Sequence, residues 1–156
     1  MTAPQLSGQD QTWLADEAPG ATAFDRVVNH RPEYADAFRR VEAAIWEQQV
    51  VPTDLLELCR RRVAQLLRHR SSVEPASELV SAVASWPTDP RFTERDRVCL
   101  AYAEQVLIDA EGVSDEQAAA VVEMLGEGGF LVLTYACGIF ETRMRADLTL
   151  GLGRLP

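Results

Sequence analysis

Apolar residues recur along this chain with the period of an α-helix. The most regular stretch is Asp54 to Ser72, DLLELCRRRVAQLLRHRSS. Wound at about 100° per residue, Leu55, Leu56, Cys59, Val63, Leu66 and Leu67 gather on one face, and Glu57, Arg61, Ala64 and Arg68 fall opposite. The spacing predicts a helix from Leu55 to Arg70, capped by Thr53 or Asp54 after Pro52. Glu57 and Arg61 stand in the favourable order for an ion pair along a helix. Arg62 lies at the edge of the apolar stripe, and His69 shares that flank.

The rest of the pattern is also helical. Phe24 to His30 reads as a short helical turn stopped by Arg31-Pro32, and Pro32 suits the first position of a helix to about Gln48. Its apolar positions are Tyr34, Phe38, Val41 and Ile45. Pro75 fits the first turn of a helix to about Ser85, and Trp86-Pro87-Thr88-Asp89-Pro90 breaks the chain. Thr93 caps the helix TERDRVCLAYAEQVLID, whose first turn is acidic as the macrodipole favours. Ser114-Asp115-Glu116-Gln117 is a capping box for a helix to about Leu125, and Gly126, Gly128 and Gly129 mark a turn. The last helix, Phe130 to about Leu150, is apolar on all sides through Phe140, which predicts burial on all sides. Charge then appears inside it at Glu141, Arg143, Arg145 and Asp147. No segment alternates with period two over a useful length. The class is all-α, with six or seven helices.

Residues 1 to about 20 are polar and rich in Pro, Gly, Gln and Asp; they read as a flexible arm, with Trp13 and Leu14 able to dock on a neighbour. Residues 21–156 read as one helical domain. A net charge of −9 leaves no basic stripe for nucleic acid. No apolar run approaches the roughly 20 residues that span a bilayer, and the N-terminus lacks the pattern of a secretory signal. Neither a membrane nor nucleic acid is expected as partner. Cys59, Cys99 and Cys137 sit far apart in apolar helical contexts, which reads as reduced core thiols in a cytoplasmic protein. His30 and His69 occur in different elements without ligand spacing, so no metal site is expected, and no glycine-rich loop suggests a nucleotide or other cofactor.

Three pieces, in order, resemble the carboxymuconolactone decarboxylase / alkylhydroperoxidase D-like family. They are LLELCRRRVAQLL, then PRFTERDRVCLAYAEQVLID followed by VSDEQ, then RADLTLGLG, and the likeness runs from about Phe24 to Gly153. The resemblance implies an alkylhydroperoxidase D-like helical fold. It also implies a homo-oligomer, trimeric or hexameric (a dimer being the smaller alternative), with a pocket near the subunit interface. In the peroxidase branch a Cys-x-x-Cys pair and a His follow this helix, and a low-pKa thiolate does the chemistry. The matching positions here are His69, Ser72 and Ala76, so both sulfurs and the relay His are missing. Glu57 matches the family's Glu, and Glu104 and Arg145 match recurrent polar positions. The decarboxylase branch needs no Cys pair, but its Glu and His arrangement has no aligned counterpart here.

The candidate catalytic residues are His69, Glu57 and Glu141; the candidate substrate-binding residues are Arg62, Arg145 and Tyr135. Histidine is the side chain whose ordinary charge change falls near neutral pH, which suits a general acid or base. A His at a helix C-terminus also favours the dipole with no further role. Glu57 reads as a proton relay or as half of an ion pair with Arg61. Glu141 and Arg145 read as acid/base and carboxylate anchor, or as a structural pair; Arg62 binds an anion or spans to Glu104. The expected function is a cofactor-independent enzyme doing acid/base chemistry on a small carboxylate or ketone: a decarboxylase, lyase, isomerase or cyclase. The alternatives are a non-catalytic oligomeric scaffold and residual alkylhydroperoxidase activity.

Overall fold

The computed structural model describes residues 23–155. The arm expected over residues 1–20 therefore lies outside the described residues. The described residues form α1 (Ala23–Val28), α2 (Pro32–Glu47), α3 (Thr53–Leu66), α4 (Glu78–Ser81), α5 (Glu94–Ile108) and α6 (Asp115–Thr149), with short 3-10 turns at Arg70–Val73, Val83–Ser85 and Ala110–Gly112. No strand occurs among them; the single bridge pairs His69 with Arg154. The fold is all-α, as the periodicity required.

Most predicted starts hold. Pro32 opens α2. Thr93 and Asp96 form a reciprocal capping box on α5, and Ser114 and Gln117 form another on α6, each satisfying backbone donors that the helix itself leaves unpaired. Two starts differ. Thr53 lies inside α3 and neither it nor Asp54 caps by side chain. The helix expected from Pro75 begins only at Glu78, where the Ser77 hydroxyl accepts the Val80 N–H. The break expected at Gly126 is present: Gly126 takes φ 72° and ψ 171°, a region open essentially to glycine alone, and α6 is two helical segments joined across that kink.

The core lies where α3, α5 and α6 meet. Leu55, Leu56, Cys59 and Val63 of α3 pack with Cys99, Leu100 and Ala103 of α5 and with Leu133, Ala136, Cys137 and Phe140 of α6. α3 is buried further round than its sequence predicts, since Leu58, Arg61 and Ala64 are also enclosed. The face expected to be solvated meets the 3-10 turns and α4 instead. A smaller cluster joins Phe24 and Val27 of α1 to Leu150 and Leu152, so α1 and the C-terminal segment close one end of the bundle.

Two apolar faces are left exposed among the described residues. On α6, expected to be buried all round, Leu131 is 57% and Tyr135 65% exposed. On α2, Tyr34 and Val41 are exposed, and Tyr34 stacks on Phe38 at 6.3 Å. α6 also has the length and mean hydropathy of a membrane-crossing helix, contrary to the reading of the sequence alone. The same test is passed by core helices, and here Leu133, Ala136, Cys137, Phe140 and Met144 are buried against the bundle.

Candidate functional site

α3 ends four residues before its predicted end at Arg70. Leu67 is the C-cap, Arg68 adopts φ 54°, and the His69 and Arg68 N–H groups return to the Ala64 and Gln65 carbonyls at 2.9 and 3.1 Å. This is a Schellman turn, which normally carries glycine at the left-handed position. α6 ends the same way. Gly151 takes φ 77°, and Leu152 and Gly151 donate to the Asp147 and Leu148 carbonyls at 2.8 and 3.2 Å. The two turns fold the chain back toward each other. Arg70 N–H donates to the Gly153 carbonyl at 2.7 Å, which seats residues 151–154 across His69 as a strap. A Cβ on Gly153 would stand 2.3 Å from the imidazole, so only glycine fits without moving the ring.

His69 is thereby buried, at 6% exposure, rather than solvated at a helix end. Its Nδ1 lies 2.8 Å from the Ser71 hydroxyl and accepts the Ser71 N–H at 3.2 Å, capping the 3-10 turn. Its Nε2 lies 3.4 Å from Asp147 Oδ2 but forms no hydrogen bond, and Asp147 Oδ1 is likewise buried without a partner. Because Nδ1 accepts a backbone proton, the neutral ring carries its own proton on Nε2, facing the carboxylate. Asp147 Oδ2 also accepts from Arg143 Nε at 3.2 Å. Arg143 reaches Glu42 on α2 at 2.9 and 3.1 Å and stacks over the Phe24 ring at 3.4 Å.

This chain of groups walls a cavity of about 590 Å³, within the range of small-molecule sites. His69, Ser71, Asp147, Arg143, Glu42 and Trp46 line it, as do the further cations Arg26, Arg60 and Arg70. Arg61 supports the wall from behind. Its guanidinium is 2% exposed and donates to the Ser71 and Glu74 carbonyls at 2.5 and 2.6 Å, tying the 3-10 turn to α3.

Of the residues singled out in the sequence, His69 alone lines this cavity. Glu57 pairs with Arg60 at 2.7 Å through both oxygens, not with the buried Arg61, and this bond raises the Arg60 pKa further. Glu57 thus reaches the cavity only through Arg60. Arg62 bonds to Glu104 at 2.5 Å, and Trp86 Nε1 donates to the same oxygen at 2.6 Å; these lie away from the cavity. Glu141 and Arg145 close on each other at 2.7 Å, with Arg145 largely in solvent. Tyr135 is on the exposed face of α6. Asp147, Arg143, Glu42 and Ser71 were not singled out as candidates. The one signal was the run of charge late in α6.

All three cysteines are free and buried. Burial pushes the Cys59 thiol well up, and pushes Cys99 to about 11 and Cys137 to about 12. Such thiols stay protonated at neutral pH and are poor nucleophiles.

No family model matches the chain, and no curated protein matches it. A solved structure does. It is an Agrobacterium tumefaciens protein of unknown function, suggested to be the antioxidant defence protein AhpD, and it aligns with a TM-score of 0.70 at 16% identity over 83% of this chain and 95% of that one. Identity this low carries the architecture and nothing of the activity. The chain has an AhpD-like helical fold.

Proposed function

We propose that the protein is a cofactor-independent enzyme of acid/base type, acting on a small carboxylate or enolisable ketone in the cavity beside His69. One observation carries the reading: a buried imidazole, backed by an incompletely satisfied carboxylate, stands in the wall of a ligand-sized cavity. A histidine held between Ser71 and Asp147 takes up a proton at Nδ1, and Asp147 stabilises the imidazolium that forms. Arg60, held by Glu57, and Arg143, held by Glu42 and Asp147, line the cavity with Arg70, and a substrate carboxylate or the enolate that develops on deprotonation would share them with those partners. The buried, protonated thiols and the absence of a Cys-x-x-Cys pair weigh against an alkylhydroperoxidase. Within this reading the carboxymuconolactone decarboxylase relationship is one of ancestry. The protein works in the cytoplasm as a homo-oligomer, joined through the exposed faces of α2 and α6, and engages neither membrane nor nucleic acid.

The test is hydrogen–deuterium exchange at carbon, followed by proton NMR, over a panel of 2-oxo acids and enolisable carboxylates in D₂O. The wild type accelerates exchange on at least one of them. His69→Ala and Asp147→Asn slow it by about 100-fold or more, the usual contribution of a general base. If no member of the panel exchanges faster than in buffer, or if His69→Ala exchanges as fast as wild type, the reading fails. A scaffold would then be the better account.

A further inference from the structure

The same geometry limits how His69 can meet a substrate. Its Nε2 is buried without a hydrogen bond, 3.4 Å from Asp147 Oδ2 and close beneath Gly153. Its Nδ1 is occupied by Ser71. Ser71, bonded to Nδ1 through its hydroxyl, lines the cavity together with His69.

We infer that Ser71 is a nucleophile, with His69 as its general base and Asp147 behind, and that the site transfers acyl groups from small anionic esters. The inference rests on the reading of His69–Asp147 as a working base. The order hydroxyl, imidazole, carboxylate is that of a catalytic triad, recognised by roles and distances rather than by sequence position. Ser71 Oγ to Nδ1 is 2.8 Å, within reach for proton transfer. Nε2 to Asp147 Oδ2 is 3.4 Å, loose in the resting state. It tightens when the ring becomes cationic and the carboxylate gains a full opposite charge to hold. Two further features fit the role. Arg61 pins the Ser71 carbonyl and so fixes the turn that aims the hydroxyl. Arg60, paired with Glu57, and Arg70 also line the cavity, where an oxyanion or a substrate carboxylate would share them with their present partners.

The step balances with water as the only co-reactant. Ser71 Oγ bonds to the ester carbon, the carbonyl electrons move to oxygen, and the hydroxyl proton passes to Nδ1. The tetrahedral adduct collapses, the bond to the leaving alkoxide breaks, and Nδ1 returns its proton to that alkoxide. Water then repeats the sequence on the Ser71 ester, releasing the acid and restoring the hydroxyl.

The experiment treats the full chain at neutral pH with diisopropyl fluorophosphate and with a p-nitrophenyl ester of a small dicarboxylic acid, reading the adduct by intact mass and peptide mapping. The expected result is one phosphoryl group per chain on Ser71 and a burst of nitrophenol. Labelling disappears in Ser71→Ala, is slowed by about 100-fold or more in His69→Ala, and is unchanged in Ser72→Ala. Ser71→Cys guards against a folding defect: the introduced thiol is alkylated by iodoacetamide at neutral pH, and faster with His69 present than in the double variant. An adduct elsewhere, or none, on a protein that still exchanges carbon-bound protons through His69 overturns the Ser71 assignment and leaves the acid/base reading standing. Loss of both labelling and exchange overturns both.

Discussion

Arg68 holds a left-handed backbone at φ 54° on the surface, where its Cβ works against the conformation. Non-glycine residues there cost roughly 1–2 kcal/mol. The turn it makes brings His69 to Ser71 and Asp147. Replacing Arg68 by glycine keeps both Schellman hydrogen bonds and removes the clash, offset in part by the freer unfolded chain. Arg68→Gly is expected to stabilise the protein by about 1 kcal/mol, read as a higher urea midpoint at unchanged slope. A lower midpoint would mean that the arginine side chain contributes more than its backbone costs. The same residue explains a misreading. A helix end marked by glycine is legible in sequence, as Gly151 is; one marked by arginine is not, so the helical period alone runs on to Arg70, with His69 on the flank of Arg62.

Helices meet here so that three cysteines, distant in sequence, come together in one dry interface. Cys59 of α3, Cys99 of α5 and Cys137 of α6 each raise or feel the others' charge, and desolvation is the largest cause of every shift. A thiol whose folded pKa is raised contributes stability that is complete below its unfolded value of 9.0. It is lost as pH rises toward about 11 for Cys99 and about 12 for Cys137. Urea midpoints are therefore expected to fall steadily above pH 9, and Ellman's reagent at pH 8 to react with the folded protein far more slowly than with the unfolded chain. Rapid reaction of all three thiols in the folded protein would refute this burial. α6 also shows why its charges could be seen but not assigned. Glu141–Arg145 and Arg143–Asp147 are both spaced as ion pairs, and both form. The two pairs are offset by two residues, about 200° around the helix, so they lie on nearly opposite sides. Nothing in the local pattern says which side faces His69.

At the scale of the molecule, the exposed apolar faces of α2 and α6 are the feature that the packing of the described residues leaves open. Tyr34, Val41, Leu131 and Tyr135 stand in solvent on a protein whose other large apolar residues mostly pack. Such exposure marks an interaction surface more often than an accident. If copies of this chain cover it, sedimentation equilibrium gives a mass that is a multiple of 17.3 kDa, and Tyr135→Asp shifts the population toward the protomer with little change in helical circular dichroism. A wild-type protein that stays monomeric at tens of micromolar would remove the oligomer from the account.

What the sequence determined by itself is local. Helical period set the class, and Pro32, Thr93 and Ser114 set where helices begin. Each of these depends on residues within a few positions of one another, where backbone geometry leaves little choice. The site was decided by tertiary structure. Glu42, His69, Ser71, Asp147 and Gly153 converge only because two helix ends turn back toward each other and α2 closes over them. His69 was legible as a candidate because of its type and place in the chain. Its partners were not, because no short-range pattern records which of several charged faces will meet it once the core has packed.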